Sequence, residues 1–338
     1  MKMRILVTGG AGFIGRWVVK RLLFSGHRVG VIDDLSSGKR ENLAGIEVDS
    51  NFEGLTEAGV GDRAALSSLF GGPAPPELCL HLAGQVNVQV SLDDPGHDFA
   101  TNVAGAHEIL EQCRRRRVRL VLVSTCMVYA PAVEGKAIDE THPVEPRSPY
   151  AAAKLAAEEL ALGYYHAYGL PVTVLRPFNT YGPFQRADAE GGVVAIFTDR
   201  ALRGLPLNVY GSGSQTRDLM YVGDCVEFIC RAALAEGAVG QILNAGTGQD
   251  TAIIDLATKV REGVAESGGR KVPVRHVPPL HPRSEIGRLV CDFGKARRLV
   301  GWRPVVGLDE GIRRTVAWTR SRLEATMPAP SVEEGRTP

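Results

Sequence analysis

At 338 residues the chain exceeds what a single hydrophobic core sustains, so a large domain with a smaller companion is expected. Its 44% hydrophobic and 23% charged residues are the composition of a soluble globular protein. With 39 basic and 38 acidic side chains the net charge is +1, which gives no electrostatic reason to expect nucleic acid or a membrane surface as partner.

The opening "MKMRILVTGG" turns into glycine too early for the core of a secretory signal. Met3 to Thr8 read as a strand covered on both faces. "GGAGFIG" then leads into a helix, "RWVVKRLLFSG", that closes on Gly26. "HRVGVIDD" is a second strand, "ELCLHLAG" is strand-like, and "HDFATNVAGAHEILEQCRRRR" has helical spacing. A further strand, "VRLVLVST", a long alanine-rich helix, "SPYAAAKLAAEELALGYYHAYG", and another strand, "PVTVLRPFNTYG", come next. This alternation predicts an α/β fold with a doubly wound parallel sheet.

After about Tyr181 the chain becomes loop-rich, with short helical runs at "VVAIFTDRALRG" and "DCVEFICRAALAEG". A strand and turn, "QILNAGTG", return to the main sheet. The expected layout is a nucleotide-binding domain over 1–180 with a returning segment at about 241–265, and a discontinuous C-terminal lobe over 181–324. Residues 325–338 lack periodicity and are expected to be disordered. Six cysteines (Cys79, Cys113, Cys126, Cys225, Cys230, Cys291) show no Cys-x-x-Cys pair, which speaks against structural zinc and a disulfide framework. No apolar run approaches the roughly 18 residues of a membrane span. A cytoplasmic protein without a metal site is expected.

Gly9, Gly12 and Gly15 stand three apart between strand and helix. The first two let the backbone turn tightly against a pyrophosphate, and the third lets helix and strand pack. The helix N-terminus adds free N–H groups and the positive dipole end. Asp33 closes the second strand roughly 20 residues on, where a carboxylate accepts from the ribose hydroxyls and repels a 2′-phosphate. With Asp34 beside it, this favours NAD over NADP.

Tyr150 and Lys154 lie at i and i+4, so they project from one helix face. A phenol acting as base near neutral pH must lose about three pH units, roughly 4 kcal/mol. A neighbouring ammonium and a cationic nicotinamide ring both favour the phenolate. A preceding strand ends in Ser124 and Thr125.

Taken in order, "TGGAGFIG", "HLAG", "STCMVYA", "SPYAAAK", "RPFNTYGP" and "VYGSGSQTRDLMYVGD" resemble the extended short-chain dehydrogenase/reductase family. More narrowly, they resemble its nucleotide-sugar epimerases, dehydratases and decarboxylases. The resemblance implies a catalytic group of Thr125, Tyr150 and Lys154, with Asn102 orienting the lysine through the active-site helix. It implies that Asn179 and Arg217 grip the substrate's diphosphate. It further places Phe13, Ile14, Ala83 and Ser124 at the cofactor, and Cys126, Met127, Val193, Tyr210 and Arg288 at the substrate. The implied reaction moves a hydride from carbon 4 of the sugar to NAD while the tyrosine takes a hydroxyl proton. The hydride is usually returned.

The fate of the 4-keto sugar turns on "STCMVYA". The dehydratases it resembles carry an Asp-Glu pair directly after the threonine, and the decarboxylases a glutamate where Met127 stands. Cys126 and Met127 are poor proton shuttles, which disfavours dehydration. Decarboxylation of a β-keto acid is weakened and not excluded. Epimerisation needs only room for the ketone to turn over. "YGPFQRADAEGG" resembles the uronate-specific 4-epimerases, which would make Arg186 a bidentate carboxylate clamp, against the alternative of a solvated loop charge. The expected function is therefore 4-epimerisation of a UDP-linked sugar, glucuronate or a hexose. The alternatives are decarboxylation of UDP-glucuronate, 4,6-dehydration, or a cofactor-sensing protein without activity.

Other features read as structural. The cluster "RRRRVR" sits at a helix C-terminus, where the dipole favours cations. Cys126 has no histidine near it in sequence for activation. His81 is a packing residue at a strand end. His276, His281, Arg283 and Glu285 lie, like Arg288, in a loop placed to close over the nucleotide. A homodimer is expected from the resemblance and from apolar faces on the helices at 98–117 and 150–168.

Overall fold

A computed structural model describes residues 2–188, 192–279 and 284–326. The tail expected at 325–338 thus lies, from 327 on, outside the described residues, as do His281 and Arg283. Six strands of the main sheet come first in the chain: β1 (Arg4–Thr8), β2 (Arg28–Asp33), β3 (Phe52–Glu57), β4 (Leu78–His81), β5 (Arg119–Val123) and β6 (Val172–Pro177). Four short strands lie elsewhere: β7 (Asn179–Tyr181), β8 (Leu207–Tyr210), β9 (Thr216–Arg217) and β10 (Leu219–Tyr221). Then β11 (Ile242–Ala245) rejoins the sheet beside β6. The seven strands run parallel in the order β11-β6-β5-β4-β1-β2-β3. This is the doubly wound α/β sheet.

The strand order reverses between β1 and β4, and such a switch point leaves a crevice beyond the carboxyl ends. Register sets what faces it. Thr8 pairs with both Ile32 and His81, and His81 with Leu122. Hence the glycine turn, Asp33, Ala83 and Ser124–Thr125 all leave the sheet at one edge.

On its faces lie α1 (Phe13–Phe24), α2 (Arg63–Gly71), α3 (Val88–Asp93), α4 (Pro95–Phe99), α5 (Gly105–Arg116) and α6 (Pro149–Tyr168). The ends of α6 are set locally. Ser148 Oγ accepts from the amide of Ala151 at 3.2 Å, Pro149 opens the first turn, and Gly169 takes φ 66° at the end. The one helix expected at 97–117 is interrupted: Ala100–Ala104 is a π turn, and Asn102 lies in it. "PVTVLRPFNTYG" divides as well, at buried Phe178 between β6 and β7. Neither β3 nor α2 was expected. β3 is a half-buried edge strand without a buried apolar face, while Asp62 caps α2 through the amides of Ala64 and Ala65.

The later helices are α7 (Val193–Leu202), α8 (Val222–Leu234), α9 (Ile253–Glu266), α10 (Gly294–Val300) and α11 (Leu308–Thr326). Three further strands, β12 (Thr251–Ala252), β13 (Val274–Val277) and β14 (Arg288–Leu289), complete small sheets: β12-β9-β14 and β13-β8, beside the pair β10-β7. One continuous core joins β1, β2 and α1 to α7, α8, α9 and α11.

The loop after β7 is bound to both ends of the chain. Phe184 sits edge-on to Trp17 of α1, centroids 5.6 Å apart, and 4.8 Å from Trp318 of α11. The Arg16 guanidinium lies 3.6 Å over its ring. Phe184 takes φ 74°, a left-handed conformation costing on the order of 1 kcal/mol for such a side chain. The Tyr181 hydroxyl donates to the Leu308 carbonyl at 3.2 Å, and Gly311 packs so closely on that ring that a side chain has no room.

Candidate active site

Gly9 takes φ +70°, and a Cβ there would lie 2.7 Å from the amide nitrogen of Ala83. Gly12 caps α1 without a side-chain bond, so the amides of the first turn, Phe13 and Ile14 among them, keep no intrahelical partner. Gly15 does not work as expected. A side chain on it would strike the carbonyl of Gly9, so it lets the helix sit on the turn itself. Contact with the sheet falls to Gly10, whose Cβ would lie 2.6 Å from Val31 Cγ1.

Asp33 is 7% exposed and its oxygens accept from the amides of Ala11 and Leu35, each at 2.9 Å. Burial raises its pKa, and these amides oppose the rise. Asp34 is exposed and turned into its own loop, accepting from the Ser36 amide at 3.0 Å, so Asp33 alone is fixed at the site edge. Asp33→Ser is expected to weaken NAD at least about tenfold and to narrow its advantage over NADP. Titrating both cofactors checks this, and an unchanged preference would remove Asp33 from the ribose site.

Thr125, Tyr150 and Lys154 come together at the end of β5. Thr125 Oγ1 accepts from the Met127 amide at 3.2 Å, capping a short turn at Cys126–Val128. Tyr150 is buried, and desolvation pushes its phenol up to about 12, opposed by a hydrogen bond from Thr125. Bringing the phenol to neutrality therefore requires on the order of 7 kcal/mol, more than the unburied group. Lys154 is pushed down to about 8 by burial, against the charges of Glu158 and Asp98. Its ammonium donates to the Val123 carbonyl at 2.8 Å.

Asn102 does not bond the lysine directly. Its Nδ2 donates to the Gln85 carbonyl at 2.9 Å and to Asp98 Oδ1 at 3.1 Å. His81, pushed down to about 3 by burial, is neutral and pairs its Nδ1 with Thr8 Oγ1 at 2.8 Å. Burial pushes the Cys126 thiol up to about 12, which leaves no thiolate for nucleophilic work. All six cysteines are free and buried.

Several buried polar atoms have no hydrogen-bond partner among the described residues: Ser124 Oγ, Asn102 Oδ1 and Asn179 Nδ2. Buried groups of this kind are rarely left unsatisfied in a working protein. Together with the glycine cradle and Asp33 they fit a dinucleotide lying along the crevice with a polar ligand beside it. Among the described residues no acidic, histidine or cysteine group could hold a metal ion, and no helix is long and apolar enough to cross a membrane.

On the substrate side, Arg217 is half-buried and forms no ion pair among the described residues. Its Nη1 donates to the carbonyls of Thr216 and Ile286 at 2.7 and 2.8 Å. Burial lowers its pKa. A guanidinium without a carboxylate is available to a diphosphate.

Arg288 is not brought beside it. Leu289, not Arg288, is the register partner of Arg217, so the two arginines face opposite ways. Arg288 pairs with Asp250 and donates to the carbonyls of Val133 and Lys136 at 2.8 and 3.1 Å. Arg186 is likewise engaged, bidentate to Asp188 at 2.8 Å on both bonds, and reaches the Ser37 carbonyl at 3.4 Å beyond β2. That places it beside the loop after β2, with its charge matched. Val193 opens α7 and packs on the core; Tyr210 is 42% exposed at the end of β8.

Two features were missed in the sequence. Glu158, one turn after Lys154, is fully buried against Arg176 of β6, with Nε at 3.1 and 3.0 Å from its oxygens. Gln85 and Asp98 pack around Asn102. Only spatial proximity reveals either group.

The pattern of the NAD dependent epimerase/dehydratase family matches residues 5–246. Among solved structures, Pal from Bacillus thuringiensis is 46% identical, with TM-score 0.90 over 95% of this chain and 100% of its own. The UDP-glucose 4-epimerase of Thermus thermophilus, solved with NAD, is 38% identical, with TM-score 0.85 over 94% of this chain and 99% of its own. The UDP-glucose 4-epimerase of Mycolicibacterium smegmatis is 40% identical over 95% of this chain and 100% of its length. The cofactor is NAD. With the site geometry and a match over most of its length, the chain belongs to the NAD-dependent epimerase/dehydratase family of nucleotide-sugar enzymes.

Proposed function

We propose that the protein is a UDP-hexose 4-epimerase. The observation that carries this reading is the floor of the site. Cys126 is buried, Met127 is half-buried against the same apolar cluster, and neither can move a proton at carbon 5. NAD supplies the acceptor and donor of the hydride. Tyr150 as phenolate takes the proton of the carbon-4 hydroxyl and returns it, and Thr125 holds the phenol in place. Lys154 stabilises the phenolate, while Arg217 and Asn179 hold the diphosphate so that the sugar alone can turn.

A hexose is preferred to a uronate because the expected clamp, Arg186, is already paired with Asp188. The names of the Mycolicibacterium and Thermus relatives support the same choice. Within this proposal residues 1–180 hold the cofactor and the C-terminal half the sugar. Two chains pair along α5 and α6, supported by Phe99, which ends α4 ahead of the π turn into α5, and Tyr168, which ends α6, each 60% exposed.

Incubation with UDP-glucose is expected to give UDP-galactose of unchanged mass, and UDP-glucuronate to react at least about tenfold more slowly. Faster release of carbon dioxide from UDP-glucuronate would replace the reading with a decarboxylase. Loss of water from the hexose would replace it with a dehydratase.

A further inference from the structure

Lys154 must carry its proton in a site from which water is excluded, and no carboxylate touches it: among the described residues it forms no ion pair, only its bond to the Val123 carbonyl. The unexplained charge that bears on it is Asp98, the fourth residue of α4, 1% exposed. Its Oδ1 accepts from Gln85 Nε2 at 2.8 Å and from Asn102 Nδ2 at 3.1 Å, while its Oδ2 is buried without a partner among the described residues.

The Asn102 amide links the two groups. Its nitrogen is identified by two acceptors, the Gln85 carbonyl and Asp98 Oδ1, so its oxygen is the atom left over. That oxygen lies 2.6 Å from where a Gly84 Cβ would stand, and Lys154 Nζ lies 3.7 Å from the same point. The carboxylate thus polarises an amide whose negative end shares a face of Gly84 with the ammonium. The π turn at Ala100–Ala104 places Asn102 so that it can reach back to Asp98 and to the Gly84–Gln85 turn at once.

We infer that Asp98 is a positioning residue for the reaction: a buried counter-charge that, through Asn102, keeps Lys154 an ammonium while Tyr150 ionises. The other charged or titratable groups around the pair do not replace it. His81 of β4 is neutral, Cys126 stays a thiol, and Glu158 on α6, which also raises Lys154 and does so ahead of Asp98, is already matched by Arg176 of β6. His97, next to Asp98, is exposed. Burial raises the pKa of Asp98, opposed by Gln85, Asn102 and the charges of Lys154 and His97, and Asp98 in turn raises those of Lys154 and Tyr150.

The inference rests on Tyr150 as base and is independent of which sugar binds, so the test uses no sugar. Titrate the NAD-loaded protein and follow the ultraviolet tyrosinate band, with Tyr150→Phe as the blank that isolates this phenol. Asp98→Asn removes a negative charge and keeps the shape. Every proton on the Tyr150–Lys154 pair is then held less tightly, so the phenol's midpoint is expected to fall by about one pH unit. Asp98→Glu, which keeps the charge, is expected to restore it. An unchanged midpoint in Asp98→Asn would overturn the inference. So would failure of both Asp98→Asn and Asp98→Ser to yield folded, NAD-loaded protein, since Asp98 would then hold the fold and not the charge.

Discussion

Tyr150→Phe is expected to lower turnover at least about a thousandfold while the protein still purifies with NAD. The ring and its packing survive, and only the hydroxyl proposed to take the sugar's proton is lost. Activity with UDP-glucose and absorbance of the bound cofactor read the two outcomes separately; a rate near the parent's would exclude Tyr150 as base. The pH profile of the parent follows from the same pair. In the proposed mechanism the working form has Tyr150 ionised and Lys154 protonated. Burial pushes Lys154 down to about 8, so the ammonium is lost as pH rises through that value, and the rate falls with it.

Arg176→Met is expected to destabilise the fold by roughly 3–5 kcal/mol, because it leaves Glu158 charged, fully buried and unpaired behind the catalytic helix. Urea unfolding measures the loss. The double change Glu158→Met with Arg176→Met removes both charges and is expected to recover most of it. A single variant as stable as the parent would show that the buried pair does not hold the helix on β6.

The parts of the site that could be read in advance are those written in short periods. Gly9, Gly12, Asp33, Tyr150 and Lys154 occupy fixed offsets within one strand, one turn or one helix, and local geometry carries them to the crevice. The hidden parts depend on residues far apart in the chain. Glu158 and Arg176 look like a solvated helix charge and a strand-end arginine until helix and strand pack. Arg186 looked free because its partner, Asp188, is an ordinary loop acid. The π turn at Ala100–Ala104 leaves no mark in a stretch whose spacing is helical throughout. Gly15 and Gly10 exchanged duties because sequence spacing identifies a close approach without saying which backbone makes it.

The contacts of Phe184 bear on the order in which the polypeptide is completed during its synthesis. Trp17, which donates to the Pro183 carbonyl at 3.1 Å, belongs to α1, and Trp318 to α11, which emerges far later. Tyr181 is closed over by Leu308 and Gly311. A nascent chain can therefore pair β1 to β6 early, yet the outer side of its first helix stays unfinished until α11 has left the ribosome. Such long-range contacts raise contact order and favour slow folding. They also make completion of the nucleotide-binding half wait for the carboxyl-terminal helix.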